Sequence, residues 1–282
     1  FDVRRAGDAT VGFIGVPSVG KSTLLNKLTD AKSAVAAYQF TTLTVVPGMM
    51  EYRGAKIQVL DLPGIIKGAS SGKGLGKRIL SVARTADLVL LMLDVFQPFH
   101  EDVLVNELGN IGIRLNRLPP NITIEKSSMG GIAIAQQVKL TKISEQHLKD
   151  ILHIYSIVSA RVVIREDITS EQLADHIAGN ISYSKSLTVL NKIDLVNREF
   201  LEDLKTKIKS DVIEVSANSE INIELLKEKI YDKLNFIRIY MRPKGGETDF
   251  KEPLIAREGD TVEDICNKLH RSMKKQFRYG LI

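Results

Sequence analysis

The chain has 282 residues, 44% of them hydrophobic and 26% charged, with a formal net charge of +5; this exceeds a single typical domain and suffices for a sizeable core. Its one cysteine, Cys266, excludes a disulfide framework and points to a reducing, cytoplasmic setting. No apolar run reaches the roughly 18 residues of a membrane span, and the basic balance, with a pI near 9.1, leans toward an acidic partner such as RNA, with nothing that calls for DNA.

In chain order, the first predicted element is a strand over 11–14, followed by Gly15-Val16-Pro17-Ser18-Val19-Gly20-Lys21-Ser22-Thr23 and a helix over 22–28. A GxxxxGKS run between a strand and a helix builds a phosphate cradle: the glycines let backbone N–H groups turn toward a triphosphate at the positive end of the helix. Lys21 then meets the β- and γ-phosphates, and the Ser22 hydroxyl holds Mg²⁺. Thr41 and Thr42 come next, and one of them, with Thr42 favoured, closes over Mg²⁺ in the triphosphate state; paired threonines also suit the start of an edge strand. A strand over 57–60 ends in Asp61-Leu62-Pro63-Gly64, where Asp61 orients a metal-bound water and the Gly64 N–H reaches a γ-phosphate. The glycine-rich stretch 64–76 is cheap to rearrange and costly to order, which suits a segment that follows the γ-phosphate.

A strand over 88–93 and a helix over 102–108 precede the Pro119-Pro120 pair, which marks a boundary. Two strands around Gly130-Gly131, a helix over 144–155, a strand over 161–165 and a helix over 170–179 then read as an α+β module of their own. The next strand, 187–190, delivers Asn191-Lys192-Ile193-Asp194. The Asp194 carboxylate can accept from the N1 and N2 donors of guanine, a pairing adenine does not offer. A strand over 212–215 leads to Ser216-Ala217-Asn218, whose backbone meets the guanine O6. Four such motifs in one register predict a guanine-nucleotide switch using GTP and GDP.

Beyond 236 the pattern changes to strands at 236–240 and 252–256 and an amphipathic helix over 261–276, with Thr261 and Asp264 in a capping arrangement and Val262, Ile265, Leu269 and Met273 as its apolar stripe. The basic face of Lys268, Arg271, Lys274, Lys275 and Arg278 reads either as an RNA contact or as a solvated surface. The histidines show no metal-ligand spacing.

The phrases GVPSVGKST (15–23), FTTL (40–43), QVLDLPGII (58–66), GKGLG (72–76), ARTAD (83–87), GIRLN (112–116), PPNI (119–122), NKID (191–194) and MRPKG (241–245) carry a resemblance across nearly the whole chain. It resembles the developmentally regulated GTP-binding proteins, the eukaryotic and archaeal branch of the Obg-type GTPases. The resemblance implies an α/β P-loop GTPase domain over 1–116 and 186–235, an inserted α+β domain over 117–185 similar to the second domain of ribosomal protein S5, and an incomplete, truncated β-grasp (TGS) domain over 236–282. It also implies a stabilising partner protein with zinc fingers, association with the ribosome and its rRNA, and a switch role in cytoplasmic translation. Several related GTPases hold K⁺ beside the phosphates with an asparagine at the position of Ser18, and the shorter serine departs from that pattern. An Obg-type relative that prefers ATP carries glutamate where Asp194 stands here. Ras-like GTPases place a water-orienting glutamine where this chain has Ile65, so a slow intrinsic rate is expected. Arg78 and Arg84 are the candidate cations in cis. The competing expectation is a scaffold that senses GTP with little turnover.

Overall fold

Seven consecutive residues of the first strand, β1 (Ala9–Gly15), are buried, as required of a strand covered on both faces. The computed structural model describes residues 7–29, 46–62, 85–242 and 246–269. After β1 come α1 (Lys21–Leu28), β2 (Val46–Tyr52), β3 (Ala55–Asp61), β4 (Leu88–Asp94), α2 (His100–Asn110) and β5 (Ile113–Leu115). They are followed by β6 (Ile122–Lys126), β7 (Ile132–Gln136), α3 (Glu145–Ile154), β8 (Ala160–Ile164), α4 (Ser170–Ala178) and β9 (Ser182–Asn191). The chain continues through α5 (Arg198–Lys207), β10 (Val212–Glu214), α6 (Ile223–Lys233), β11 (Phe236–Ile239), β12 (Leu254–Arg257) and α7 (Val262–Leu269). Among the described residues, no helix is long and apolar enough to cross a membrane.

Two compact units result, Phe1–Glu107 with Lys185–Ile282, and Leu108–Ser184. The first holds a sheet of order β10-β9-β4-β1-β3-β2. Its strands run parallel except β2, which is antiparallel to β3. β4 reads LVLLMLD and is buried throughout, so the apolar runs seen in the sequence are the sheet's centre. Because β1 is followed in space by β3 on one side and β4 on the other, the crevice at the carboxyl ends of these strands is a topological switch point, where open α/β sheets bind ligands. β11 and β12 pair antiparallel. The Phe236 ring stands edge-on to Tyr231 at 5.4 Å, and Tyr231 stands likewise against Tyr52 at 5.7 Å. The Arg257 guanidinium donates to Asp87 Oδ1 at 2.7 Å and to the Asp8 carbonyl at 2.9 Å.

The second unit begins at Leu108, whereas the sequence division placed the inserted domain at 117–185. The difference has a local cause: β5 pairs with Ser182, Tyr183 and Ser184, and Arg114 on β5 makes a two-pronged ion pair with Asp175 on α4, both contacts 2.7 Å. The strands flanking Gly130-Gly131 are not neighbours. β8 lies between them, antiparallel to β6 and parallel to β7. Leu148, Leu152, Val162, Ile164, Ile168 and Leu173 form this unit's core. Its helices start where side chains satisfy free N–H groups: Ser144 accepts from His147 N, and Thr169 with Gln172 forms a reciprocal capping box.

Of the stripe expected on the last helix, Ile265 and Leu269 are half-buried. Val262 is 48% exposed and Cys266 is the buried position; Met273, with Arg271, Lys274, Lys275 and Arg278, lies outside the described residues. Lys268 pairs with Asp260 at 2.7 Å. β2, β5, α5 and α6 were not placed from sequence, although α6 buries Ile223, Leu226, Ile230 and Tyr231 at helical spacing.

Both side chains of the Arg114–Asp175 pair are largely buried, at 14% and 9% exposure. Arg114→Ala, which strands the Asp175 carboxylate, is expected to destabilise the protein by about 3 to 5 kcal/mol, read as a shifted denaturant midpoint; a midpoint matching the parent's would show the pair to be dispensable.

Candidate functional site

The chain leaves β1 at Gly15, where any side chain would strike the Met92 carbonyl at 2.8 Å. It then turns through two left-handed positions, Ser18 with φ 64 and Gly20 with φ 96. Gly20 is the N-cap of α1 and supplies no side-chain cap, so the helix's leading N–H groups face the loop's concavity, the arrangement that holds an anion. Pro17 and Ser18 are exposed, while Val19 is buried.

Lys21 is 9% exposed, and its ammonium donates to the Gly15 carbonyl at 3.2 Å and the Val16 carbonyl at 3.0 Å. Burial lowers its pKa, and the nearby Asp61 carboxylate works in the opposite direction. Both acceptors are neutral dipoles, so a bound phosphate would stabilise this amine. Ser22 Oγ donates to Asp61 Oδ2 at 2.5 Å, which brings the hydroxyl at the start of α1 and the carboxylate ending β3 together. Two hard oxygen donors at one point fit Mg²⁺, which is usually held by one or two carboxylates together with substrate phosphates. Among the described residues no larger group of metal-ligating side chains occurs. Thr23 follows on the exposed side of α1.

β9 delivers Asn191, which is 2% exposed. Its amide Nδ2 donates to the Val19 carbonyl at 2.9 Å, and its Oδ1 accepts from Ala217 N at 3.0 Å. One side chain thus ties the phosphate loop to the 216–218 loop. Gly20 must be glycine here for a second reason: a Cβ there would lie 2.4 Å from Asn191 Nδ2. Lys192, with φ 69, donates to Asp94 Oδ2 at 3.0 Å. Asp194 stands exposed in the turn Ile193–Leu195. The Ser216 hydroxyl first, then Asp194's own backbone N–H and the Ser219 hydroxyl, hold its carboxyl below the ordinary value; Ser219 Oγ donates to it at 3.3 Å. Ser216 and Ala217 are buried and Asn218 is exposed.

The structure therefore brings together the residues expected at 15–23, Asp61, Asn191, Lys192, Asp194 and Ser216-Ala217-Asn218 at one end of the sheet. Thr41, Thr42, Gly64, Ile65, Arg78, Arg84 and the glycine-rich stretch lie outside the described residues. Sequence reading missed Asp94. Its signal was a charged residue closing an otherwise apolar strand, and only the pairing with Lys192 shows what it faces.

A mostly parallel sheet with a glycine-bounded loop after β1, a serine and an aspartate meeting beside it, and the turn at 191–194 tied to that loop by Asn191 make up a P-loop GTPase fold. Family models agree: one described as 50S ribosome-binding GTPase matches residues 10–126, one described as the C-terminal region of that domain matches 129–236, and the TGS domain matches 237–282. An uncharacterized GTP-binding protein of Methanocaldococcus jannaschii is 55% identical over all of this chain and 73% of its own length. Developmentally-regulated GTP-binding protein 2 homolog of Dictyostelium discoideum is 48% identical, and developmentally-regulated GTP-binding protein 1 of Xenopus laevis 45%, each over all of this chain and 77% of its own. The chain belongs to the developmentally regulated GTP-binding protein family. Among solved structures, the FeoB G-domain of Methanococcus jannaschii matches with a TM-score of 0.42 and 19% identity, over 80% of this chain and 96% of that one.

Asn191→Ala leaves the Val19 carbonyl and the Ala217 N–H without their partner. Each orphaned buried group costs about 1 to 3 kcal/mol, so a loss of roughly 2 to 6 kcal/mol in unfolding free energy is expected. An unchanged denaturant midpoint would mean that the two loops hold themselves in place.

Proposed function

We propose that the protein binds GTP with Mg²⁺ and hydrolyses it slowly to GDP and phosphate, acting as a ribosome-associated switch in cytoplasmic translation. The observation that carries this reading is the Asn191 amide, which fixes a phosphate cradle on one side and a base-reading loop on the other. On this reading Gly15, Pro17, Ser18, Val19 and Gly20 present backbone to the phosphates, and Lys21 leaves its two carbonyls for the β- and γ-phosphates. Ser22, Asp61 and Thr42 hold Mg²⁺, which when bound neutralises charge developing on the phosphate oxygens. Gly64 donates its N–H to the γ-phosphate. Asp194 accepts from the guanine edge, Lys192 flanks it, and the Ser216-Ala217-Asn218 backbone meets O6.

Guanine choice follows from the ionised state of Asp194. Its carboxyl is held below the ordinary value of 3.8, so it stays charged above that value and is lost as an acceptor only as pH falls through the lowered one. The preference for GTP over ATP should therefore be flat between about pH 5 and pH 8. Asp194→Asn should weaken GTP binding by about 2 to 4 kcal/mol and shift preference toward xanthosine triphosphate, which presents a carbonyl where guanine has its amine. Calorimetric titration with both nucleotides decides this, and undiminished GTP affinity would remove Asp194 from the base site.

The rate rests on Ile65, whose side chain has no polar atom with which to orient water. A supplied cation is worth about 10³ to 10⁵ in phosphoryl transfer, so isolated protein should turn over below roughly 1 s⁻¹ and accelerate with the family's zinc-finger partner or with ribosomes. Ile65→Ala should leave the basal rate nearly unchanged, and K⁺ should exceed Na⁺ only modestly, since Ser18 replaces the asparagine of K⁺-using relatives. Single-turnover phosphate release in each salt tests this. Many turnovers per second, or loss of hydrolysis in a folded Ile65→Ala protein, would sink it; no release at all would favour a GTP-sensing scaffold.

A further inference from the structure

Asp94 closes β4 and is 7% exposed, an unusual place for a carboxylate. The register of β4 on β9 sets it directly opposite Asn191, and Val95 N donates to the Asn191 carbonyl at 3.3 Å. Both carboxylate oxygens are used. Oδ1 accepts from Phe96 N at 3.0 Å, and Oδ2 accepts from Lys192 Nζ at 3.0 Å. Lys192 is itself a left-handed residue, φ 69, a conformation that a side chain bearing Cβ adopts at a cost. Backbone bonds flank it: Leu195 N donates to the Lys192 carbonyl at 3.1 Å, and Ile193 N to the Val215 carbonyl at 3.3 Å. The Asp94 contact is what orders the long side chain, which is 26% exposed and otherwise has a flexible stem.

We propose that Asp94 is a positioning residue for base selection: its ion pair with Lys192 fixes the left-handed turn 191–194 and so aims the Asp194 carboxylate at the base. The inference rests on Asp194 reading guanine. It distinguishes Asp94 from a residue that merely caps the loop after β4, because the Phe96 N–H and Lys192 draw on different oxygens of the same group. Asp94→Asn separates the two roles. The amide oxygen still accepts from Phe96 N, at nearly the same volume, while the charge facing Lys192 is gone.

The test compares dissociation constants for GTP and inosine triphosphate in the parent, Asp94→Asn, Lys192→Met and the double variant, with a thermal melt of each. Inosine triphosphate lacks the guanine amine, so the ratio of the two constants reports how well Asp194 is aimed, which a general loosening of the fold would not move selectively. Asp94→Asn should reduce the ratio of the inosine triphosphate constant to the GTP constant by about tenfold, the scale of one charge-assisted contact, and the double variant should be no worse than Lys192→Met alone, since contacting residues couple. A parental ratio in Asp94→Asn, or additive effects in the double variant, overturns the proposal. Should Asp94→Asn fail to fold, Lys192→Met approaches the pair from the other side, and a parental ratio there overturns it equally. Parent protein with no preference for GTP over ATP would instead bring down the assignment of Asp194, and this inference with it.

Discussion

The site depends on one buried amide. Asn191 donates to Val19 and accepts from Ala217, two hydrogen bonds of opposite sense that an amide can make together and a carboxylate cannot. Because both partners are backbone groups of different loops, the contact sets the distance between them whatever the surrounding side chains are. The glycine at 20 follows from it, since the amide occupies the space where a Cβ would sit. So does the placement of Asp194, three residues further along a turn that Asn191 begins.

Around that amide the sheet's carboxyl edge gathers four charges, Lys21 and Asp94 buried and Asp61 and Lys192 half-buried. Their burial is tolerable because they meet polar partners, and the manner differs in a way that matters. Asp94 and Lys192 satisfy one another at 3.0 Å. Lys21 leans on carbonyl dipoles and is destabilised by burial, which leaves it ready for an anion.

Within the first unit, the β11–β12 pair is joined to the large sheet by chemistry of a different kind. Arg257 reaches Asp87, whose other oxygen accepts from Thr10 N at 2.8 Å at the start of β1. Tyr52, Tyr231 and Phe236 stack edge to face beside it. Arg53 spans the Tyr231 ring and Glu228. These contacts sit at the amino ends of β1 and β4 and on the β2–β3 turn, away from the carboxyl edge that carries the nucleotide motifs.

Much of this was legible in the sequence because it is local. The phosphate loop is a contiguous run whose glycines and lysine have their roles by spacing, and the buried parallel strands announce themselves as unbroken apolar runs because both their faces are covered. The turn at 191–194 was legible for the same reason. What the tertiary structure decided is everything that joins residues far apart in the chain: β8 lying between β6 and β7, Arg114 drawing the boundary of the second unit to Leu108, Cys266 rather than Val262 facing inward on the last helix, and Asp94 facing Lys192. Strand order and ion-pair partnership depend on which surfaces meet after the chain has turned back on itself. A linear pattern carries the period of each element but not the identity of its neighbour.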